Sequence, residues 1–240
     1  MALFSRLAER VVEPEVMDDP NLPPDLHRHA LQGLARINRL SDSSRIVWAP
    51  LAKLAATLGV QRLRVLDIAT GSGDVPLALL RRARRRGLTL DVLGVDVSPT
   101  AVEFAQNRAA AQGVAEHVRF ETRDVFGEPL PEGYDVVMCS LFLHHLARDS
   151  AIELLRSMAQ AARYLLVVND LERSRMGLLA AESVCRLATT SRVVHIDGPR
   201  SVRAAFTVAE AEALAQEAGL VDARIVRRWP FRYLLTWNKT

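Results

Sequence analysis

The chain has 240 residues, 49% of them hydrophobic and 25% charged, the proportions of a globular protein rather than a disordered or fibrous one. That length can bury one sizeable core, which predicts one main domain with an appended segment. The formal charge is +3, but the excess is arginine, only Lys53 and Lys239 being lysines. The charges are scattered rather than gathered into the stripe a polynucleotide needs, so no nucleic-acid partner is expected. Cys139 and Cys185 lie in apolar surroundings without CxxC or metal-ligand spacing, so neither a disulfide nor a metal is expected. Residues 1–10 lack the apolar run of a secretion signal, and no stretch nears the roughly 18 apolar residues of a membrane span. A cytoplasmic protein is the expectation.

Residues 1–60 read as helices broken by extended links, because Pro14 and the run Pro20-Asn21-Leu22-Pro23-Pro24 interrupt helical periodicity. Leu26, Ala30, Leu34 and Ile37 then recur at helical spacing, and a second helix over 43–58 is stopped by Gly59. From Leu63 short aliphatic runs alternate with amphipathic stretches. Strands are predicted at 63–68, 90–96, 117–122, 134–140 and 164–169, with helices at 74–86, 99–112 and 149–162. That alternation implies right-handed crossovers and a parallel sheet covered on both faces. The arginine-rich run 81–86 ends a helix, where cations suit the dipole, and reads as a solvated face. A helix at about 174–190 leads into a linker carrying His195. Thr207 opens a further helix to about Ala218, with Glu210 completing a capping box and Gly219 as its stop. The strand-like runs 223–229 and 231–237 meet at Pro230 with no helix between them, which predicts a closing antiparallel pair.

In a doubly wound sheet, ligands bind beyond the carboxyl ends of the strands where the strand order reverses. The first strand ends at Asp67-Ile68, and the loop Ala69-Thr70-Gly71-Ser72-Gly73 leads straight into a helix opening at Asp74. Small residues let a ligand approach the backbone, and the helix amino end offers unpaired N–H groups. The second strand ends at Asp96, 23 residues past Gly73, a placement suited to an acid that bonds ribose hydroxyls. A dinucleotide reading fails because Pro76 stands where a third glycine belongs. No Tyr-x-x-x-Lys pair occurs, and no lysine follows the glycines as in a phosphate-cradling loop. Asp67 and Asp74 flanking the turn favour a ligand with a cationic end, such as a sulfonium carrying an amino-acid tail.

Residues 65–74, Val-Leu-Asp-Ile-Ala-Thr-Gly-Ser-Gly-Asp, resemble motif I of the class I S-adenosylmethionine-dependent methyltransferases, with Ala69 in place of the usual first glycine. Arg123-Asp124-Val125 and the fourth-strand run 134–140 resemble later motifs of that family in the family's order, and the resemblance covers about residues 45–240. It implies a doubly wound, mostly parallel seven-stranded sheet (α/β, Rossmann-like) with an antiparallel last strand. It also implies S-adenosylmethionine as cofactor and S-adenosylhomocysteine as product. The backbone and side chains of Asp67, Ala69, Thr70, Gly71, Gly73 and Asp74 would face the methionine part, and Asp96 the ribose. Val97 would pack on the adenine, with Asp124 accepting from its amino group and Val125 donating its backbone N–H. Ser140 and Leu141 would stand near the transferable methyl group.

Within the family the nearest likeness is to the ubiquinone/menaquinone-type small-molecule branch. It rests on residues 34–41, on Arg45-Ile46-Val47-Trp48 and on the Gly73-Asp74 pair. It implies a helical lid over residues 1–60, a cofactor-binding domain over 61–240 and a substrate-side helical insertion at 170–205. One departure stands out: His144-His145 replaces the Arg-Asn pair usual in quinone C-methyltransferases. Residues 17–28 and 195–202 are similar to bacterial methyltransferases of natural-product pathways, which implies a phenolic or polyketide-like acceptor and O-methylation. Carbon methylation of a quinone-like ring and a non-catalytic protein of the same fold are the alternatives. Histidine suits proton removal near neutral pH, so His144 or His145 is the candidate base. The competing role for that pair is structural, one ring packed beneath the fourth strand and the other capping the next helix. Asn38, His195 and Arg200 are candidate acceptor contacts. Cys139-Ser140-Leu141-Phe142 stands where a nucleic-acid amino methyltransferase would carry Asn/Asp-Pro-Pro-Tyr/Phe, which argues against a flipped-base substrate. A small-molecule acceptor and a monomer or homodimer are expected.

Overall fold

A computed structural model describes Leu7, residues 9–19 and residues 21–239. The reading of residues 1–10 as lacking a secretion signal therefore lies mostly outside the described residues, as does Pro20 of the proline run. Seven strands, β1 (Arg62–Ile68), β2 (Thr89–Asp96), β3 (Val118–Thr122), β4 (Tyr134–Ser140), β5 (Ala162–Leu171), β6 (Arg224–Arg228) and β7 (Arg232–Asn238), form one sheet in the order β3-β2-β1-β4-β5-β7-β6. β1 to β5 pair in parallel, and β7 runs antiparallel to both β5 and β6. The doubly wound sheet and its closing antiparallel strands are thus as the sequence pattern predicts.

The pleat divides the core into two layers. Val65, Val136, Met138 and Val167 pack on one face against the helices α2 (Ser43–Leu58), α3 (Asp74–Arg84) and α4 (Pro99–Ala111). Leu66, Val137, Cys139 and Val168 pack on the other, against α5 (Arg148–Ala161) and α8 (Val208–Glu217). Local chemistry sets the helix ends. Gly59 adopts φ 66° after α2, Ser98 Oγ accepts the Ala101 N–H before α4, and Thr207 and Glu210 form the expected reciprocal box before α8. Arg81, Arg84, Arg85 and Arg86 are exposed, whereas Arg82 reaches back to Asp42 and Ser44 on the start of α2.

Three further helices, α1 (Pro24–Leu40), α6 (Arg175–Ala188) and α7 (Arg192–Ala204), enclose a satellite cluster of Ala30, Cys185, Val193 and Val194, with Leu34 and Ile37 packed on it. Leu26, expected on the apolar stripe of α1, is exposed instead. The expected linker around His195 is also different, because residues 192–204 are helical through Gly198-Pro199. The reason is close packing. A Cβ on Gly198 would lie 2.3 Å from Cys185 Sγ, so the glycine is a contact point between α6 and α7, not a breaker. Gly33 meets Thr189 in the same way.

Candidate active site

The chain turns from β3 back across the sheet to β4, so strand order reverses between β1 and β4, and their carboxyl ends open the expected crevice. The loop after β1 is held open there. Ala69, Gly71 and Gly73 all adopt positive φ (52°, 53° and 67°), and the Thr70 N–H donates to the Val95 carbonyl at 3.0 Å. Asp67 is buried, accepts from Thr70 Oγ1 at 2.7 Å, and burial pushes its carboxyl up to about 7. Asp74 Oδ1 accepts from Ser72 Oγ at 2.8 Å at the start of α3.

Asp96 ties the second strand to this loop. Its Oδ2 accepts the Gly71 N–H at 2.8 Å and its Oδ1 the Ser98 N–H at 2.9 Å. Burial raises its carboxyl above the usual range, against those two N–H groups. The Asp96 carbonyl accepts the Arg123 N–H at 2.9 Å, which brings the Asp124-Val125 turn alongside. Asp124 is exposed and Oδ1 accepts the Phe126 N–H at 2.9 Å; Val125 is half-buried, and Val97 is 68% exposed. At the end of β4, Leu141 adopts φ 58°, and the buried Ser140 Oγ has no hydrogen-bond partner among the described residues. The cofactor-side candidates therefore gather at the carboxyl ends of β1 to β4.

His144 and His145 form a 3₁₀ turn with Leu143 just beyond β4, their ring centroids 4.4 Å apart. His144 is buried, its Nδ1 2.6 Å from Asp170 Oδ1 and its backbone N–H donating to Asp170 Oδ2 at 2.9 Å. Burial opposes ionisation of Asp170, but the His144 imidazole beside it, with the N–H groups of Leu171 and His144, outweighs that and holds the carboxyl below its usual range. His145 Nδ1 stands 3.1 Å from Asp18 Oδ2. Burial disfavours charge on His145, yet the Asp18 hydrogen bond and the carboxylates of Glu15, Asp18 and Asp170 raise it to about 9. The Nε2 atoms of both rings face Glu15, each 3.9 Å from a carboxylate oxygen.

Glu15 and Asp18 belong to a strap, residues 9–19, that closes over this turn. Arg10 clamps it. The guanidinium lies over the Phe206 ring at 3.8 Å and donates to the carbonyls of His144 (2.7 Å), Leu146 (2.6 Å) and Ala204. Asp197 accepts the Val16 and Met17 N–H groups at 2.9 and 3.0 Å, and Arg200 donates to the Pro14 carbonyl at 3.0 Å and pairs with Glu13. Strap and turn border a half-open cavity of about 280 Å³ lined by Val12, Glu13, Pro14, Glu15, Asp18, His144, His145 and Ala204.

The acceptor candidates separate in space. His195 does not line that cavity: its Nε2 bonds the Thr189 carbonyl at 2.7 Å. Arg200 anchors the strap from behind. Asn38 sits in another polar group, where Oδ1 accepts from Ser43 Oγ and from the buried Arg232, which also donates to Ser41 and Ser43. Glu15, Asp18 and Asp170 were not sequence candidates. For Asp170 a signal existed: Ser140 pairs with Asn169 in the sheet register, which sets an acid beside the residues after β4. Cysteine spacing predicts no metal, yet Glu15, His144 and His145 offer ligand atoms all within 4.8 Å of one another.

A family model described as a methyltransferase domain matches residues 65–164, the span from β1 to β5 that carries the loop, Asp96, Asp124 and Ser140. Residues 65–164 are a methyltransferase domain. The demethylmenaquinone methyltransferase of Thermus thermophilus is 35% identical to the chain over 107 residues, 43% of this chain and 46% of that protein. The chain spans less than half the length of the first curated relatives it matches. Among solved structures, the S-adenosylmethionine-dependent methyltransferase SibL in its apo form superposes with a TM-score of 0.66 at 21% identity, over 97% of this chain and 64% of its own. NcsB1, an O-methyltransferase from neocarzinostatin biosynthesis in complex with S-adenosyl-L-homocysteine and 1,4-dihydroxy-2-naphthoic acid, gives 0.64 at 20% identity, over 94% and 61%. At those identities the likeness is one of fold. The methyltransferase domain match includes His144 and His145 but neither the strap nor Asp170. No helix among the described residues is long and apolar enough to cross a membrane.

Proposed function

We propose that the protein transfers a methyl group from S-adenosylmethionine to a hydroxyl of a phenolic or polyketide-like small molecule. The observation that carries this reading is the His144–Asp170 pair, set on a cavity at the carboxyl end of β4 just past the donor crevice. The crevice suits the cofactor. Among the described residues, Gly71 has open space where a side chain would stand and Ser140 Oγ is buried without a partner, and the acids Asp67, Asp74 and Asp96 suit a cationic ligand. Gly71 and Gly73 would hold the methionine part, Asp96 the ribose, and Val97, Asp124 and Val125 the adenine. When bound, S-adenosylmethionine supplies an electrophilic methyl group whose bond to sulfur breaks as the new bond to oxygen forms, the electron pair staying on sulfur.

The chain's own residues do the rest. His144 keeps its Nδ1 proton on Asp170, which leaves Nε2 as the lone-pair nitrogen facing the cavity and the acceptor's proton. The strap excludes water and fixes the acceptor's orientation, which for an in-line displacement supplies much of the acceleration. The molecule bound in the NcsB1 complex, 1,4-dihydroxy-2-naphthoic acid, carries the aromatic hydroxyl chemistry proposed for this cavity. Ring-carbon methylation is the second reading, favoured by the Thermus relative. Calorimetric titration with S-adenosylhomocysteine tests the donor half, and the reading fails if no heat of binding is seen. Mass spectrometry after incubation with a panel of dihydroxynaphthoates and simple phenols tests the acceptor half, with methyl ethers as the expected products.

A further inference from the structure

We propose that Glu15, His144 and His145 form a binding site for one divalent first-row transition-metal ion, with open coordination positions facing the acceptor cavity. Two imidazoles and one carboxylate are the donor set of catalytic zinc and non-haem iron(II) sites, and they favour such ions over magnesium or calcium. The ligand atoms converge. His144 Nε2 and His145 Nε2 each stand 3.9 Å from a Glu15 oxygen, and the donor atoms all lie within 4.8 Å of one another. Metal bonds of about 2.0–2.1 Å place tetrahedral ligand atoms about 3.3 Å apart. The Glu15 oxygens therefore have only about 0.6 Å to move toward each histidine nitrogen.

The outer contacts are those of a metal site. A ligating histidine almost always gives its other ring N–H to a carboxylate or carbonyl, which fixes the ring and its tautomer. Here His144 Nδ1 meets Asp170 at 2.6 Å and His145 Nδ1 meets Asp18 at 3.1 Å, so both Nε2 atoms are turned to the same point. Ser201 Oγ donates to Glu15 Oε1 at 2.5 Å, steadying the third ligand and leaving Oε2 available. The three carboxylates of Glu15, Asp18 and Asp170 surround the two imidazoles, with Arg10 the neighbouring guanidinium. The cavity of about 280 Å³ leaves room for an acceptor oxygen beside the ion.

The inference deepens the proposed function and rests on its placement of the acceptor. In the metal-loaded protein the acceptor hydroxyl binds the ion as its oxyanion, its proton passing to solvent, and the ion takes over the task His144 performs alone in the metal-free state.

The test uses the full chain stripped with a chelator and titrated with zinc(II) by calorimetry and with cobalt(II) by visible absorption. One ion per chain and cobalt bands of a low-coordinate nitrogen–oxygen site are expected. Glu15→Gln and His145→Gln, with folding checked by circular dichroism, are each expected to weaken zinc binding a hundredfold or more. Asp18→Asn should weaken it about 10- to 100-fold. Absence of stoichiometric binding, or binding that these variants leave unchanged, overturns the site. Titration of the metal-free protein with S-adenosylhomocysteine separates the two ideas. Cofactor binding without ion binding removes the metal site alone, and ion binding without cofactor binding upholds the metal site while removing the methyltransferase reading.

Discussion

His144 and Asp170 are joined twice, ring nitrogen to one carboxylate oxygen at 2.6 Å and backbone N–H to the other at 2.9 Å. The double contact fixes both the place of the turn and the tautomer of the ring. Asp170→Asn keeps the shape and loses the acceptor that holds the Nδ1 proton. Turnover is expected to fall about 10²- to 10⁴-fold, the range for a misplaced general base. Affinity for S-adenosylhomocysteine should change little, and steady-state kinetics beside calorimetry check both halves.

Asp96 is the donor-side counterpart. Its two oxygens already accept N–H groups from Gly71 and Ser98, so the carboxylate shapes the loop, and on the proposed function its remaining lone pairs would serve a ribose. Asp96→Ala should cost about 1.5–3 kcal/mol of binding, the worth of a hydrogen bond to a charged group. That corresponds to a tenfold to hundredfold weaker calorimetric titration with S-adenosylhomocysteine.

How much of this was legible in the sequence differs between the two halves, for a physical reason. β1 to β4 and their helices follow from local alternation, and the donor residues sit at strand ends, where each motif is contiguous. Asp96 could be placed by counting from Gly73. The acceptor side has no such local rule: Glu15 and Asp18 reach His144 and His145 across well over a hundred residues of chain, so no spacing announces them. His195 was misplaced because Gly198-Pro199 reads as a break until the neighbouring helix supplies Cys185 as its packing partner.

Asp67 makes stability depend on pH. Its carboxyl is raised to about 7 in the fold, against an ordinary value of 3.8, because burial disfavours the charge. Between about pH 4 and pH 7 the folded chain holds a proton that the unfolded chain releases, so this group's contribution falls as pH rises through that window. Asp67→Asn removes the buried charge. The variant should therefore be more stable than the parent at pH 8, by at most about 4 kcal/mol, with the gap shrinking toward pH 4. Urea melts at pH 4.5 and pH 8 measure it, and an equal gap at both would contradict the burial argument.

The two loop glycines should respond unequally to a methyl group. Gly71 has φ 53° and nothing within 4 Å of a new Cβ, so Gly71→Ala adds backbone strain alone, about 1–2 kcal/mol. Gly73 has φ 67° and a new Cβ would lie 2.8 Å from Phe120 and 3.1 Å from Ala105. Overpacking adds about 1–3 kcal/mol to the strain there. Thermal melts should rank Gly73→Ala as the less stable of the pair, and similar melts for both would refute the packing account.

The strap is held mainly through main-chain groups: Arg10 grips three carbonyls, Val11 N–H meets the Arg203 carbonyl at 3.2 Å, Asp197 takes two N–H groups, and Arg200 takes the Pro14 carbonyl. Attachment of this kind is indifferent to most of the side chains it carries. Those main-chain contacts persist when Val12, Glu13, Glu15 or Asp18 is changed, although Glu13 then loses Arg200, Glu15 loses Ser201 and Asp18 loses His145. On the proposed function the chain thus keeps its wall and its furnishing separate, and a short stretch of sequence would retune which acceptor is welcome while the donor side stays as it is.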